Sequence, residues 1–125
     1  MFNEISFIGY VGRDPVITET PQGDKVVKLS VGSSVWSKNN PYTIWFTVYL
    51  WGGSANYTEK HVRVGDMVHI VGTTIADRVT GGPKLYERRD GTTGASYEVK
   101  ARIITRLARK DANKIADYED SDDYF

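Results

Sequence analysis

The sequence predicts an all-β OB-fold, a five-stranded Greek-key barrel with a short helix between its third and fourth strands. Three observations lead there. Short segments alternate apolar and polar residues at a period of two, as half-buried strands do. Clusters of Gly, Pro, Asn and Asp punctuate them. Their order is three strands, a compact polar stretch that suits a short helix, then two strands. A β-sandwich would need more strands.

Residues 5–11 alternate, with Ile5, Phe7 and Val11 on one side, and Arg13-Asp14-Pro15 breaks the run. After the turn at Pro21-Gln22-Gly23-Asp24, a second strand runs from about Lys25 to Trp36, with Val27, Leu29, Val31 and Val35 on one face. Residues 37–41 form a loop. Residues 43–51 form the third strand, ended by Gly52-Gly53, and residues 54–62 suit the helix. Val64-Gly65-Asp66 is a turn, and the fourth strand is expected from about Met67 to Val79. Residues 80–96, rich in Gly and charge, read as a long mobile hairpin loop. The fifth strand sets Tyr97, Val99, Ala101 and Ile103 against Glu98, Lys100 and Arg102.

The formal net charge of zero hides a division. Residues 1–110 hold 15 Lys+Arg against 10 Asp+Glu, whereas residues 111–125 hold 1 against 6. We therefore expect a weakly basic domain over 1–110 and an acidic, disordered tail over 111–125, the first suited to a polyanion and the second to a basic protein pocket. With 125 residues the chain suits one domain. It has no cysteine, which excludes disulfides, zinc knuckles and thiol nucleophiles and fits a reducing compartment. No apolar run approaches the roughly 18 residues of a membrane helix. The start has no basic region ahead of an apolar stretch, so a cytoplasmic protein is expected.

The third strand carries the sharpest functional signal. Side chains alternate across a strand, so Ile44, Phe46, Val48 and Leu50 share one face and Trp45, Thr47, Tyr49 and Trp51 the other. The aliphatic face is the natural core. The opposite face then carries two tryptophans and a tyrosine where polar residues are usual. The second strand presents Lys28 and Trp36 on its corresponding face. Flat aromatic faces accept bases of any sequence, and cations accept phosphates. Lys28, Lys38, Arg78, Lys84, Arg88 and Arg89 are the candidate phosphate contacts. The same aromatic face would also suit an oligomer interface or a sugar site.

Several segments, in order, resemble the bacterial and phage single-stranded DNA-binding proteins. Asn3 to Pro15 is similar to that family's first strand and its Gly-x-x-Gly-x-Asp-Pro turn. Ser34-Val35-Trp36 resembles the end of its second strand, Thr43-Ile44-Trp45 through Val48-Tyr49-Leu50-Trp51-Gly52 its third, and Val64-Gly65-Asp66 through Val71-Gly72 the segment after its helix. The similarity spans about residues 3–107. It implies a homotetramer that wraps single-stranded DNA, with base stacking, the family's established mode, on Trp36, Trp45 and Trp51. A fourth stacking aromatic of the family falls near Val79, and Tyr86 in the following loop is the candidate substitute. The family also ends in an acidic tip closing with Pro-Phe. Here Asp120, Asp122, Asp123, Tyr124 and Phe125 stand there, with tyrosine in place of the proline. By resemblance the chain coats single-stranded DNA in replication, recombination and repair and recruits other proteins through this tail. The alternative is an RNA-binding or primosome accessory module of the same fold.

Catalytic signatures are missing from the sequence. No phosphate loop or nucleophile elbow occurs. His61 and His69 lack carboxylates at metal-ligand spacing, so no metal, cofactor or enzymatic activity is expected. His69 reads as structural and His61 as exposed.

Overall fold

The computed structural model describes residues 1–110. Along the chain run β1 (Ile5–Val11), β2 (Val16–Glu19), β3 (Lys25–Val35), β4 (Tyr42–Trp51), α1 (Gly52–His61), β5 (Met67–Ile75), β6 (Lys84–Glu87) and β7 (Thr93–Ala108). Strands β1, β5, β7, β4 and β3 pair in that order, and β3 returns to β1 through Tyr10–Gly32 and Val11–Val31. This closes a five-stranded barrel with α1 between its third and fourth strands, the expected OB-fold. All pairings are antiparallel except β4 with β7.

Alternation fills the barrel. Val27, Leu29 and Val31 of β3 meet Phe46, Val48 and Leu50 of β4, Val68 and Ile70 of β5, and Val99 and Ala101 of β7, all buried. Each of these side chains except that of Ala101 contributes about 1.5–3 kcal/mol on burial. Ala55 of α1 and Val62 just after it close one end. At the other end Phe7 stacks on Phe46 at 4.0 Å between ring centroids, and Tyr97 tilts against Phe46 at 6.0 Å. Two turns lock together beside α1. Asp14 accepts the Val64 N–H at 2.9 Å, and buried Asp66 accepts those of Arg63 at 2.9 Å and Lys110 at 3.2 Å. Among the described residues no helix is long and apolar enough to cross a membrane.

Four expectations are corrected. The break at Arg13-Asp14-Pro15 is a kink, after which the chain resumes as β2 along the same edge of β3. Val11 pairs with Val31 and Val16 with Lys28, so two extra residues bulge out, and proline sits where no ladder bond is needed. The fourth strand stops at Ile75, not Val79, because Asp77 accepts the Val79 and Thr80 N–H groups at 2.9 and 3.0 Å and turns the chain. Residues 80–96 are no long loop: β6 pairs with the start of β7 from Lys84–Ser96 to Glu87–Thr93. Finally, Ile103 leaves the predicted core face. Gly72 pairs with Ala101 but Val71 with Ile103, so Arg102 is an inserted residue and the alternation flips beyond it. Ile103 then points outward and the half-buried Ile104 takes its place against the core.

Candidate nucleic-acid interface

The outer face of the β3–β4 pair is a ladder of the residues the alternation assigns there. Val26 stands opposite Trp51, Lys28 opposite Tyr49, Ser30 opposite Thr47 and Gly32 opposite Trp45. Trp45 is 56% exposed and Trp51 37%. Six residue steps along the strand separate them, roughly 20 Å. Trp36, just past the end of β3, is 85% exposed.

Trp45 is seated on backbone. A Cβ added to Gly12 would come within 2.5 Å of its Cζ3, and one added to Gly32 within 2.9 Å of its Cη2. The absence of side chains at both glycines lets the indole lie down across the sheet. With Arg13 and Ser30 it lines an open pocket of about 320 Å³. A flat ring and an arginine lining one pocket can offer a base one surface and its phosphate another.

At the far end, the Lys100 ammonium stands 5.5 Å from the centre of the Trp51 ring, and Tyr49 tilts against Trp51 at 6.1 Å. Strand β7 lies in parallel register with β4, Thr47 beside Glu98 and Tyr49 beside Lys100. The Tyr49 hydroxyl donates to Glu98 Oε2 at 2.9 Å. Burial, and then that bond to the carboxylate, push the Tyr49 phenol up to about 12.

The β6–β7 hairpin extends this face. Gly94 and Ser96 share a side of β7 with Glu98 and Lys100, and they pair with Tyr86 and Lys84. The Tyr86 ring covers Gly94, where a Cβ would meet its Cζ at 2.6 Å, and the ring is 49% exposed. Val79, 94% exposed, lies in the Asp77 turn with no comparable seat. The turns on either side of β6 are braced by carboxylates held below the usual range. Asp77 accepts the Thr80 and Val79 N–H groups, and Asp90 accepts the Thr92 hydroxyl and N–H.

The candidate cations divide by their engagement. Lys28 is exposed in the middle of the face, Lys38 beside Trp36, and Arg78 in the turn after β5. Lys84 pairs with Glu98 at 3.5 Å. Arg88 donates to the Thr93 carbonyl at 2.9 Å and stands 5.6 Å from the centre of the Tyr86 ring. Arg89 is exposed at the hairpin tip. Arg13, Lys100, Glu98 and the glycine seats join these candidates through the fold. Lys100 was legible as an outward residue of its strand. Its place beside Trp51 follows from the parallel β4–β7 pairing, which no local pattern announces. The tail residues Asp120, Asp122, Asp123, Tyr124 and Phe125 lie outside the described residues. His69 bonds Ser6 at 2.8 Å, and His61 is exposed at the end of α1. Among the described residues no three His, Asp or Glu side chains cluster as metal ligands.

Comparison with known proteins agrees with this geometry. Residues 2–107 match the model of the single-strand binding protein family. Malacoplasma penetrans has a relative named single-stranded DNA-binding protein, 28% identical over 91% of this chain and 56% of its own length. One of the same name from Neisseria meningitidis is 24% identical over 89% and 63%. The single-stranded DNA-binding protein 1 of Chlorobaculum tepidum is 29% identical over 86% and 80%. The chain thus spans less than two thirds of the first two relatives. A match over nearly all of the described residues, joined to a closed barrel of the same architecture, establishes that the chain belongs to the single-strand binding protein family.

Proposed function

We propose that residues 1–110 bind single-stranded DNA without regard to sequence, stacking bases on Trp45, Trp51 and Trp36, with Tyr86 as a further platform on the hairpin. The observation that carries this reading is the pair of exposed tryptophans on one face of β4, one seated on bare glycine backbone and the other beside Lys100. Each stacked base contributes about 1–3 kcal/mol. Lys28, Lys38, Arg78 and Arg89, joined by Arg13 and Lys100, hold phosphates. Lys84 and Arg88 do so once released from their present partners. The names of the relatives support DNA as the ligand.

The assembly is a homotetramer built on a different surface. Ile8 and Tyr10 of β1 and Ile103 and Leu107 of β7 are exposed apolar residues on the outer face of the β1–β5–β7 sheet, around the Ser6–His69 hydrogen bond. Such a patch suits burial against a second copy, and it leaves the tryptophan face free. In the cytoplasm the assembly coats and protects single strands during replication, recombination and repair. Residues 111–125 act as an acidic tail that docks basic pockets of other proteins through Asp120, Asp122, Asp123, Tyr124 and Phe125.

Titration with oligo(dT) tests the binding reading. Tryptophan fluorescence is quenched, and log affinity falls with log salt by about 0.7 per phosphate neutralised. Unchanged fluorescence, with binding no tighter than to duplex, would refute it.

A further inference from the structure

Two carboxylates are buried among the described residues, Asp66 and Glu98. Asp66 has both oxygens engaged by backbone N–H groups. Glu98 does not. Its Oε2 accepts the Tyr49 hydroxyl, but its Oε1 is buried and accepts no hydrogen bond. The nearest cation to Oε1 is Lys84 Nζ at 3.5 Å, on a side chain that is 50% exposed while that of Glu98 is 11% exposed. Buried charges are normally paired and fully hydrogen-bonded, so this pairing is incomplete on the carboxylate side and open to solvent on the ammonium side.

The pair also sits in a telling place. Glu98 lies beside Thr47 on the outer face that carries Trp45 and Trp51. Lys84 opens β6 and reaches from the hairpin to the point where β7 enters the barrel. A negative charge in the middle of a face for a polyanion opposes that ligand, and here it also occupies one of the face's cations.

We propose that Glu98 is a built-in anionic competitor for Lys84: the carboxylate holds the ammonium in the free protein, and a backbone phosphate of the bound strand takes it over. The proposal rests on the nucleic-acid reading and deepens it. It makes Glu98 a residue that limits affinity and eases release, because each Lys84–phosphate contact leaves Glu98 with Tyr49 as its only partner.

Four proteins test it: wild type, Glu98→Gln, Lys84→Gln and the double variant, each titrated with fluorescently labelled oligo(dT) across a salt series. The glutamine of E98Q keeps an oxygen for the Tyr49 hydroxyl and loses the charge. E98Q is expected to bind about tenfold tighter, the scale of one charge-assisted hydrogen bond, and to steepen the salt slope by up to ~0.7. The double variant is expected to lose that gain. E98Q binding no tighter than wild type, or a gain that survives in the double variant, overturns the proposal. A second comparison does not depend on E98Q folding. Lys28→Gln should flatten the slope by about 0.7, and Lys84→Gln by clearly less, because in wild type the phosphate contact of Lys84 leaves Glu98 to take up a cation and so releases little net salt. Equal flattening overturns the proposal too. Wild type that fails to bind oligo(dT) overturns the nucleic-acid reading itself, whereas wild-type binding with no E98Q effect removes the competitor alone.

Discussion

The indole of Trp45 rests on Gly12, so closely that a Cβ there would stand 2.5 Å from Cζ3. Gly12 therefore belongs to the face as much as the tryptophan does, since any side chain would lift the ring. Gly12→Ala is expected to leave the barrel folded and shift the tryptophan emission. It should also weaken oligo(dT) binding about tenfold, roughly half the free energy of one stacked base at the upper end of its range. Trp45→Ala should weaken binding at least as much. Equal affinity of Gly12→Ala and wild type would show that the seat does not matter.

Tyr49 is expected to ionise late. Its phenol is raised from 10.0 to about 12 by burial and by the Glu98 carboxylate that accepts its hydrogen bond. A raised value means that the neutral form is favoured on folding. Its stabilisation is complete below pH 10 and is lost as pH rises toward 12. An ultraviolet titration should resolve one late tyrosine, absent from Tyr49→Phe. That variant should also be less stable at neutral pH by about 1–3 kcal/mol, because Glu98 loses its hydroxyl donor.

Gly72 marks the bulge that turns Ile103 outward. A Cβ at this position would collide with the Lys100 carbonyl, a backbone group that cannot step aside. Gly72→Ala should destabilise the barrel by about 1–3 kcal/mol or more in urea unfolding, with little change in tryptophan exposure.

The barrel was legible because its strands alternate cleanly. Val27-Leu29-Val31 and Phe46-Val48-Leu50 announce an inner face, and the same arithmetic puts Trp45 and Trp51 outside. Other features rest on non-local facts. Strand β2 has all four residues exposed, so it carries no burial pattern to read. The β6–β7 pairing is set by turns built on Asp77, Asp90 and positive-φ glycines, inside a stretch whose composition resembles a loop. One inserted residue at Arg102 reverses the faces of the rest of β7, and a period of two cannot foresee an insertion. Arg13 comes to the tryptophan face from the kink between β1 and β2, and Lys100 and Glu98 come from β7, so tertiary pairing and not periodicity brings them there.

The acidic tail has a simple expected sign. Removing residues 117–125 takes away charge that opposes DNA. Oligo(dT) binding should stay equal or tighten, more so at low salt, as measured by fluorescence titration. Marked weakening on truncation would assign the tail a direct part in holding the strand.

In the proposed function the tryptophan face meets DNA while a different face holds the subunits together. Native mass measurement of wild type and the Trp45→Ala/Trp51→Ala double variant, with and without oligo(dT), addresses both halves at once. The expected result is the same subunit count for both proteins and an oligo(dT) adduct for wild type alone. A double variant that falls apart yet still carries the oligonucleotide would contradict it.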